Sequence, residues 1–137
     1  MKRHASLVWS GTGKEGNGKF TTESKSLDGI DFNWKSRFDV GAGTNPEELI
    51  AAAHAGCFTM KVSFLVNAIN FTAEKLDCTC EITMEAGVIS ASHLKLVAKV
   101  PGISQEQFDK VVNESIENCM VTKVLNLTTT CEAVLEA

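Results

Sequence analysis

The chain has 137 residues, 44% of them apolar, and a formal net charge of −4. That is enough for a single domain over residues 1–137 with its own core, needing neither metal nor disulfide scaffold. The acidic balance, with no local cluster of Lys and Arg, argues against nucleic acid as a partner.

The sequence reads as having no apolar run near the roughly 20 residues that cross a bilayer, so no membrane partner is expected. The N-terminus M-K-R-H-A-S-L-V-W-S lacks the apolar stretch and cleavage site of a signal peptide, which predicts a cytoplasmic protein. Five cysteines are an odd number. Their spacings match no small secreted framework, so reduced thiols are expected.

In chain order, Ala5, Leu7 and Trp9 alternate with polar residues, S-G-T-G-K-E-G-N-G-K supplies a turn, and Phe20 begins a second extended segment. Gly11, Gly13 and Gly16 have the G-x-G-x-x-G spacing of a dinucleotide site, but such a site joins a strand to a helix. Lys19 to Leu27 does not read as a helix, so a glycine-rich hairpin is expected. A third strand is predicted over 31–40, with Phe32, Trp34, Phe38 and Val40 on one face and Asp31, Asn33, Lys35, Arg37 and Asp39 on the other.

The first helix has overlapping start signals. Asn45 before Pro46 gives an N-cap with proline at N1, and Glu48 falls at N3 of a capping box; Thr44 with Glu47 offers the same box one residue earlier. Glu47 and Glu48 both suit the positive end of the helix dipole. From Leu49 to Val66 only Lys61 carries a fixed charge, and apolar or small residues occur all round. This predicts a central helix buried on most sides.

Two alternating strands follow, one with Leu76, Cys78, Cys80, Ile82 and Met84 on a face, the next with Leu94, Leu96, Ala98 and Val100. Cys78 and Cys80 have a C-x-C spacing, but without a second Cys or His pair they are read as core residues. A second helix begins at the N-cap Ser104, with Gln107 completing a capping box and Ile103 placed to staple Phe108. Its inward positions are Phe108, Val111, Val112, Ser115, Ile116 and Cys119. L-T-T-T-C-E-A-V-L-E reads as a terminal strand in which Cys131 is structural.

Strands, helix, strands, helix, strand is not a regular βαβ alternation. The predicted class is α+β, mostly antiparallel sheet with two main helices. Two helices give limited cover to so apolar a helix, and a homodimer wrapping it is the economical arrangement.

Two thiols sit at comparable points of the two helices, Cys57 and Cys119. Burial among apolar groups raises a thiol pKa, so a reactive Cys57 needs a cation nearby. Arg37 is the nearest candidate in sequence, with Glu47 able to orient its guanidinium through a bidentate pair. Along one straight helix, Glu47 and Cys57 are ten residues, about 15 Å, apart. A shared site therefore requires folding back or a second subunit. His54 precedes Cys57 by three residues. It can serve a nucleophile, form part of a metal site with Cys57 and Cys119, or be a hydrogen-bonded core group.

The segment R-F-D-V-G-A-G-T-N-P-E-E-L-I-A-A-A-H-A-G-C-F-T-M, the later C-M-V-T-K-V-L-N and the early W-S-G-T-G-K-E-G-N-G resemble the OsmC/Ohr family of osmotically inducible and organic hydroperoxide resistance proteins. The N-P-E-E-L-I-A-A-A-H-A-x-C run is closer to the OsmC branch. The resemblance implies an intertwined homodimer with two interfacial sites and a thiol peroxidase needing no cofactor. It implies Cys57 as peroxidatic and Cys119 as resolving cysteine, with Arg37 and Glu47 around the reactive thiol. The substrate implied is an organic hydroperoxide, and the reductant an external dithiol such as a lipoyl protein. The family's resolving cysteine is commonly followed by Pro-Val-Ser, where this chain has Met120, Val121 and Thr122. The competing expectation is a non-enzymatic binding module of the same fold with inert cysteines.

Overall fold

The computed structural model describes residues 1–137, in two compact units, Met1–Leu49 and Ile50–Ala137. In the first unit, β1 (Ala5–Ser10), β2 (Asn17–Thr22) and β3 (Asp28–Asn33) form an antiparallel sheet in that order. The glycine-rich segment is the β1–β2 hairpin. Gly11 supplies the positive φ of +93° there. Since β1 leads into a strand, the helix that a dinucleotide site needs does not follow. Phe32 packs between Trp9 and Phe20, with ring centroids 5.7 and 5.2 Å away.

The strand predicted over 31–40 is not formed throughout. β3 stops at Asn33, and residues Trp34–Phe38 make a short helix, α1. Asn33 Oδ1 accepts from the Ser36 N–H and Ser36 Oγ accepts from the Asn33 N–H, both at 3.0 Å. This reciprocal box satisfies two backbone donors and turns the chain. Trp34 and Phe38 then lie one helical turn apart with rings 5.6 Å apart. The main helix, α2 (Pro46–Ala68), starts where its signals place it: Asn45 Oδ1 accepts from the Glu48 N–H at 2.8 Å. The Asn45 amide also donates to the Ser36 carbonyl at 2.9 Å, tying α1 to this start.

In the second unit, β4 (Lys75–Glu85), β5 (Val88–Lys99) and β6 (Thr128–Glu136) form a sheet in that order, β4/β5 antiparallel and β5/β6 parallel. The parallel pair needs a crossover, supplied by α3 (Gln105–Asn118) and the short α4 (Met120–Val124). The Ser104–Gln107 capping box forms at both bonds, 3.0 and 3.2 Å. Phe58, Val62 and Val66 of α2 share one core with Leu94, Leu96 and Ala98 of β5 and Phe108, Val111 and Val112 of α3. The fold is α+β with mostly antiparallel pairing.

Within one chain α2 is buried along a line, not on most sides. His54, Phe58, Val62 and Val66, each four residues apart, are fully buried, whereas Met60 and Phe64 are 62% and 64% exposed. At 23 residues the helix is also long and apolar enough, by length and composition, to cross a bilayer, which the sequence reading did not anticipate. Uncharged Ala, Gly, Ser and Thr extend its apolar run, but the buried line engages the core sheet and α3.

Candidate active site

Cys57 projects from the fourth turn of α2, and Cys119 occupies the residue between α3 and α4. Both are free thiols. They line one cavity of about 470 Å³ together with Gly56, Met60, Lys61, Phe64, Asn118 and Met120. Cys119 is 1% exposed and faces inward, as its helical spacing predicts.

The backbone at Cys119 is extended, which ends α3 and starts the next turn; the Lys123 N–H then donates to the Cys119 carbonyl at 3.1 Å. Met120 takes the first position of α4, a place suited to proline. The chain makes this helical start without one. Burial works to raise the Cys119 pKa but is outweighed by the Thr122 N–H, the Cys57 thiol, the Thr122 hydroxyl and the Val121 N–H, so Cys119 lies below the ordinary thiol value. Thr122, which the sequence singles out only as part of the departure from Pro-Val-Ser, is a hydroxyl three residues beyond the thiol, in the first turn of α4.

Arg37 and Glu47 are brought together in the first unit. Arg37 Nη2 donates to Glu47 Oε1 at 2.7 Å, and Nε lies 3.1 and 3.3 Å from the two carboxylate oxygens. The guanidinium sits 5.0 Å from the centre of the Phe38 ring. Burial pushes the Glu47 pKa up, yet the Arg37 hydrogen bonds, its own backbone N–H and the Arg37 charge hold it below the usual carboxylate value. Arg37 reaches Glu47 from α1, not from the strand expected, because the Asn33–Ser36 box starts a helix there.

His54 is a hydrogen-bonded core group. It is fully buried, with Nδ1 2.7 Å from Ser92 Oγ and Nε2 2.8 Å from Thr122 Oγ1. Burial holds its pKa below the ordinary value, so the ring is neutral at pH 7. With both nitrogens engaged by hydroxyls, His54 has none left for Cys57 or a metal. The other three cysteines have raised pKa values with burial as the leading cause, Cys131 reaching about 11. Such thiols are inert core groups.

The OsmC-like protein family matches residues 39–133. The chain is 36% identical over 133 residues to Peroxiredoxin OsmC of Escherichia coli strain K12, covering 94% of this chain and 93% of that protein. It is 27% identical over 111 residues to Organic hydroperoxide resistance protein-like 1 of Staphylococcus saprophyticus, covering 78% of each. An OsmC-like protein of Vibrio cholerae shares the fold with a TM-score of 0.74 at 14% identity, over 98% of this chain and 99% of that one. With the family match running over residues 39–133 and the 36% identity over nearly the whole chain, the chain belongs to the OsmC family.

Proposed function

We propose that the protein is a thiol peroxidase that reduces organic hydroperoxides through Cys57 and Cys119. The observation that carries this reading is the pair of free thiols on one cavity, with the Cys119 pKa held down despite burial. Similarity to proteins named for peroxide reduction and for organic hydroperoxide resistance supports it.

In the first step the Cys57 thiolate attacks one oxygen of the peroxide. The O–O bond breaks, the alkoxide leaves and is protonated to the alcohol, and Cys57 becomes a sulfenic acid. In the second, the Cys119 thiolate attacks the Cys57 sulfur and expels hydroxide, which is protonated to water, leaving a disulfide. An external dithiol such as a lipoyl group then returns both thiols and is itself oxidised to a disulfide. The cavity is lined by Met60, Phe64 and Met120 beside the thiols, which suits an alkyl group better than a second hydroxyl.

Lys61 of α2 lines the cavity as a flexible point charge, and the Arg37–Glu47 pair supplies a fixed, forked cation for the thiolate and for charge developing on the leaving oxygen. Because α2 runs unbroken from Pro46 to Ala68, the first turn and Cys57 stay about 15 Å apart along its axis. A homodimer in which Arg37 of one protomer serves Cys57 of the other resolves this, and would cover Met60 and Phe64. The test is consumption of cumene hydroperoxide with dihydrolipoamide as reductant. Wild-type protein should turn over and Cys57→Ser should not; a Cys57→Ser variant at wild-type rate overturns the reading.

A further inference from the structure

Four polar side chains form one unbroken chain through the core of the second unit. Cys80 Sγ lies 3.2 Å from Ser92 Oγ, Ser92 Oγ lies 2.7 Å from His54 Nδ1, and His54 Nε2 lies 2.8 Å from Thr122 Oγ1. Thr122 is in the first turn of α4, whose N-cap is Cys119. Ser92 and His54 are fully buried. Each hydroxyl carries a single hydrogen and must choose one direction for it.

The choice is not symmetric. A neutral imidazole donates from one nitrogen and accepts at the other. If Nε2 were the acceptor, the Thr122 hydroxyl would spend its hydrogen on His54 and turn lone pairs towards Cys119. If Nε2 carries the hydrogen, the Thr122 hydroxyl accepts from His54 and keeps its own hydrogen for the Cys119 sulfur. Nδ1 must then accept from Ser92, and Ser92 in turn can accept from the Cys80 thiol. That thiol stays protonated at neutral pH because burial raises its pKa.

We propose that His54 is a positioning residue for Cys119: held as the Nε2–H tautomer by the Ser92 hydroxyl, it makes Thr122 a hydrogen-bond donor to the Cys119 thiolate. The catalytic meaning of this device rests on the resolving role proposed above, but the tautomer and the reactivity of Cys119 are properties of the resting protein. The net lowering of the Cys119 pKa is consistent with it. The other titratable groups on the same cavity are Cys57 and Lys61 of α2. Neither lies on the path from Cys80 to Thr122.

The test uses the Cys57→Ser protein, so that Cys119 is the cavity thiol being read, and follows its alkylation by iodoacetamide against pH by mass spectrometry. Thr122→Val, nearly isosteric, should slow alkylation at pH 7 about tenfold, the equivalent of one pKa unit. Thr122→Ser should stay within about twofold of the parent. Ser92→Ala, which removes a hydroxyl on the far side of the imidazole, should slow it in the same direction. Nitrogen NMR of His54 in the folded parent should give the Nε2–H tautomer. An Nδ1–H tautomer, or Thr122→Val alkylating like the parent, overturns the proposal. No peroxide is used, so a protein that fails to consume hydroperoxide can still pass, and a working peroxidase can still fail.

Discussion

Arg37 grips Glu47 through two nitrogens, with contacts of 2.7 to 3.3 Å to the carboxylate, and Glu47 is only 12% exposed at its side chain against 34% for Arg37. The carboxylate is thus the anchored partner and the guanidinium the presented one. A lysine offers one point of charge and cannot keep this fork. Arg37→Lys should lower kcat/KM for cumene hydroperoxide by about 100-fold, and Glu47→Gln should lower it in the same direction by freeing the guanidinium. Steady-state kinetics check both, and an unchanged kcat/KM in Arg37→Lys would remove Arg37 from the reaction.

Complementation tests whether that arginine serves a neighbouring protomer. Arg37→Ala and Cys57→Ser chains should each be inactive alone. Mixed and refolded in equal amounts, they should recover about a quarter of wild-type activity, since half the dimers are mixed and each carries one intact site. Arginine acting within its own chain predicts no recovery.

Loss of Cys119 should leave the first chemical step intact and stop the cycle. In Cys119→Ser, one equivalent of hydroperoxide should be consumed as fast as in the wild type, leaving Cys57 as the sulfenic acid, and further equivalents should carry it to the sulfinic acid. Intact-protein mass spectrometry reads the successive oxygen additions. Sustained wild-type turnover would remove the resolving role.

His54 should make stability sensitive to mild acid. Its folded pKa lies below the ordinary 6.5, because burial opposes the charged form. The unfolded chain then binds the extra proton first, so stability is full above about pH 6.5 and declines as pH falls below it, until the folded pKa is passed. Thermal unfolding between pH 7.5 and 5.5 should show a fall in wild type that is smaller in His54→Gln. Glu47 acts in a lower window, its contribution being lost as pH drops from 4.5 through its folded value.

The elements legible in the sequence are those whose signals are local. The Ser104–Gln107 box starts α3, Asn45–Pro46 starts α2, and the alternation of Leu76, Cys78, Cys80 and Ile82 is the half-buried face of β4. α1 was hidden because its Asn33–Ser36 box lies inside a run that alternates like a strand for ten residues, and backbone capping overrode the alternation. The burial of α2 was overstated because a composition that is apolar all round does not say which chain covers each side; only the His54, Phe58, Val62 and Val66 line meets the core of this one. Among the residues proposed to act, Cys57, Cys119, Arg37 and Glu47 stood out by type and position, and their roles came from the family resemblance. Ser92 and Thr122 did not, since they meet His54 across 38 and 68 residues, a separation that only the folded sheet and α4 close.

In the proposed cycle Cys57 and Cys119 act as one redox pair. Reduced wild-type protein treated with one equivalent of cumene hydroperoxide, quenched with an alkylating agent and digested without reductant, reads it directly by peptide mass spectrometry. A stoichiometric Cys57–Cys119 disulfide is expected, with Cys78, Cys80 and Cys131 alkylated or untouched, and it should be lost on adding dihydrolipoamide. Hydroperoxide left unconsumed, or oxidation falling on the sheet cysteines with Cys57 and Cys119 still reduced, would contradict it.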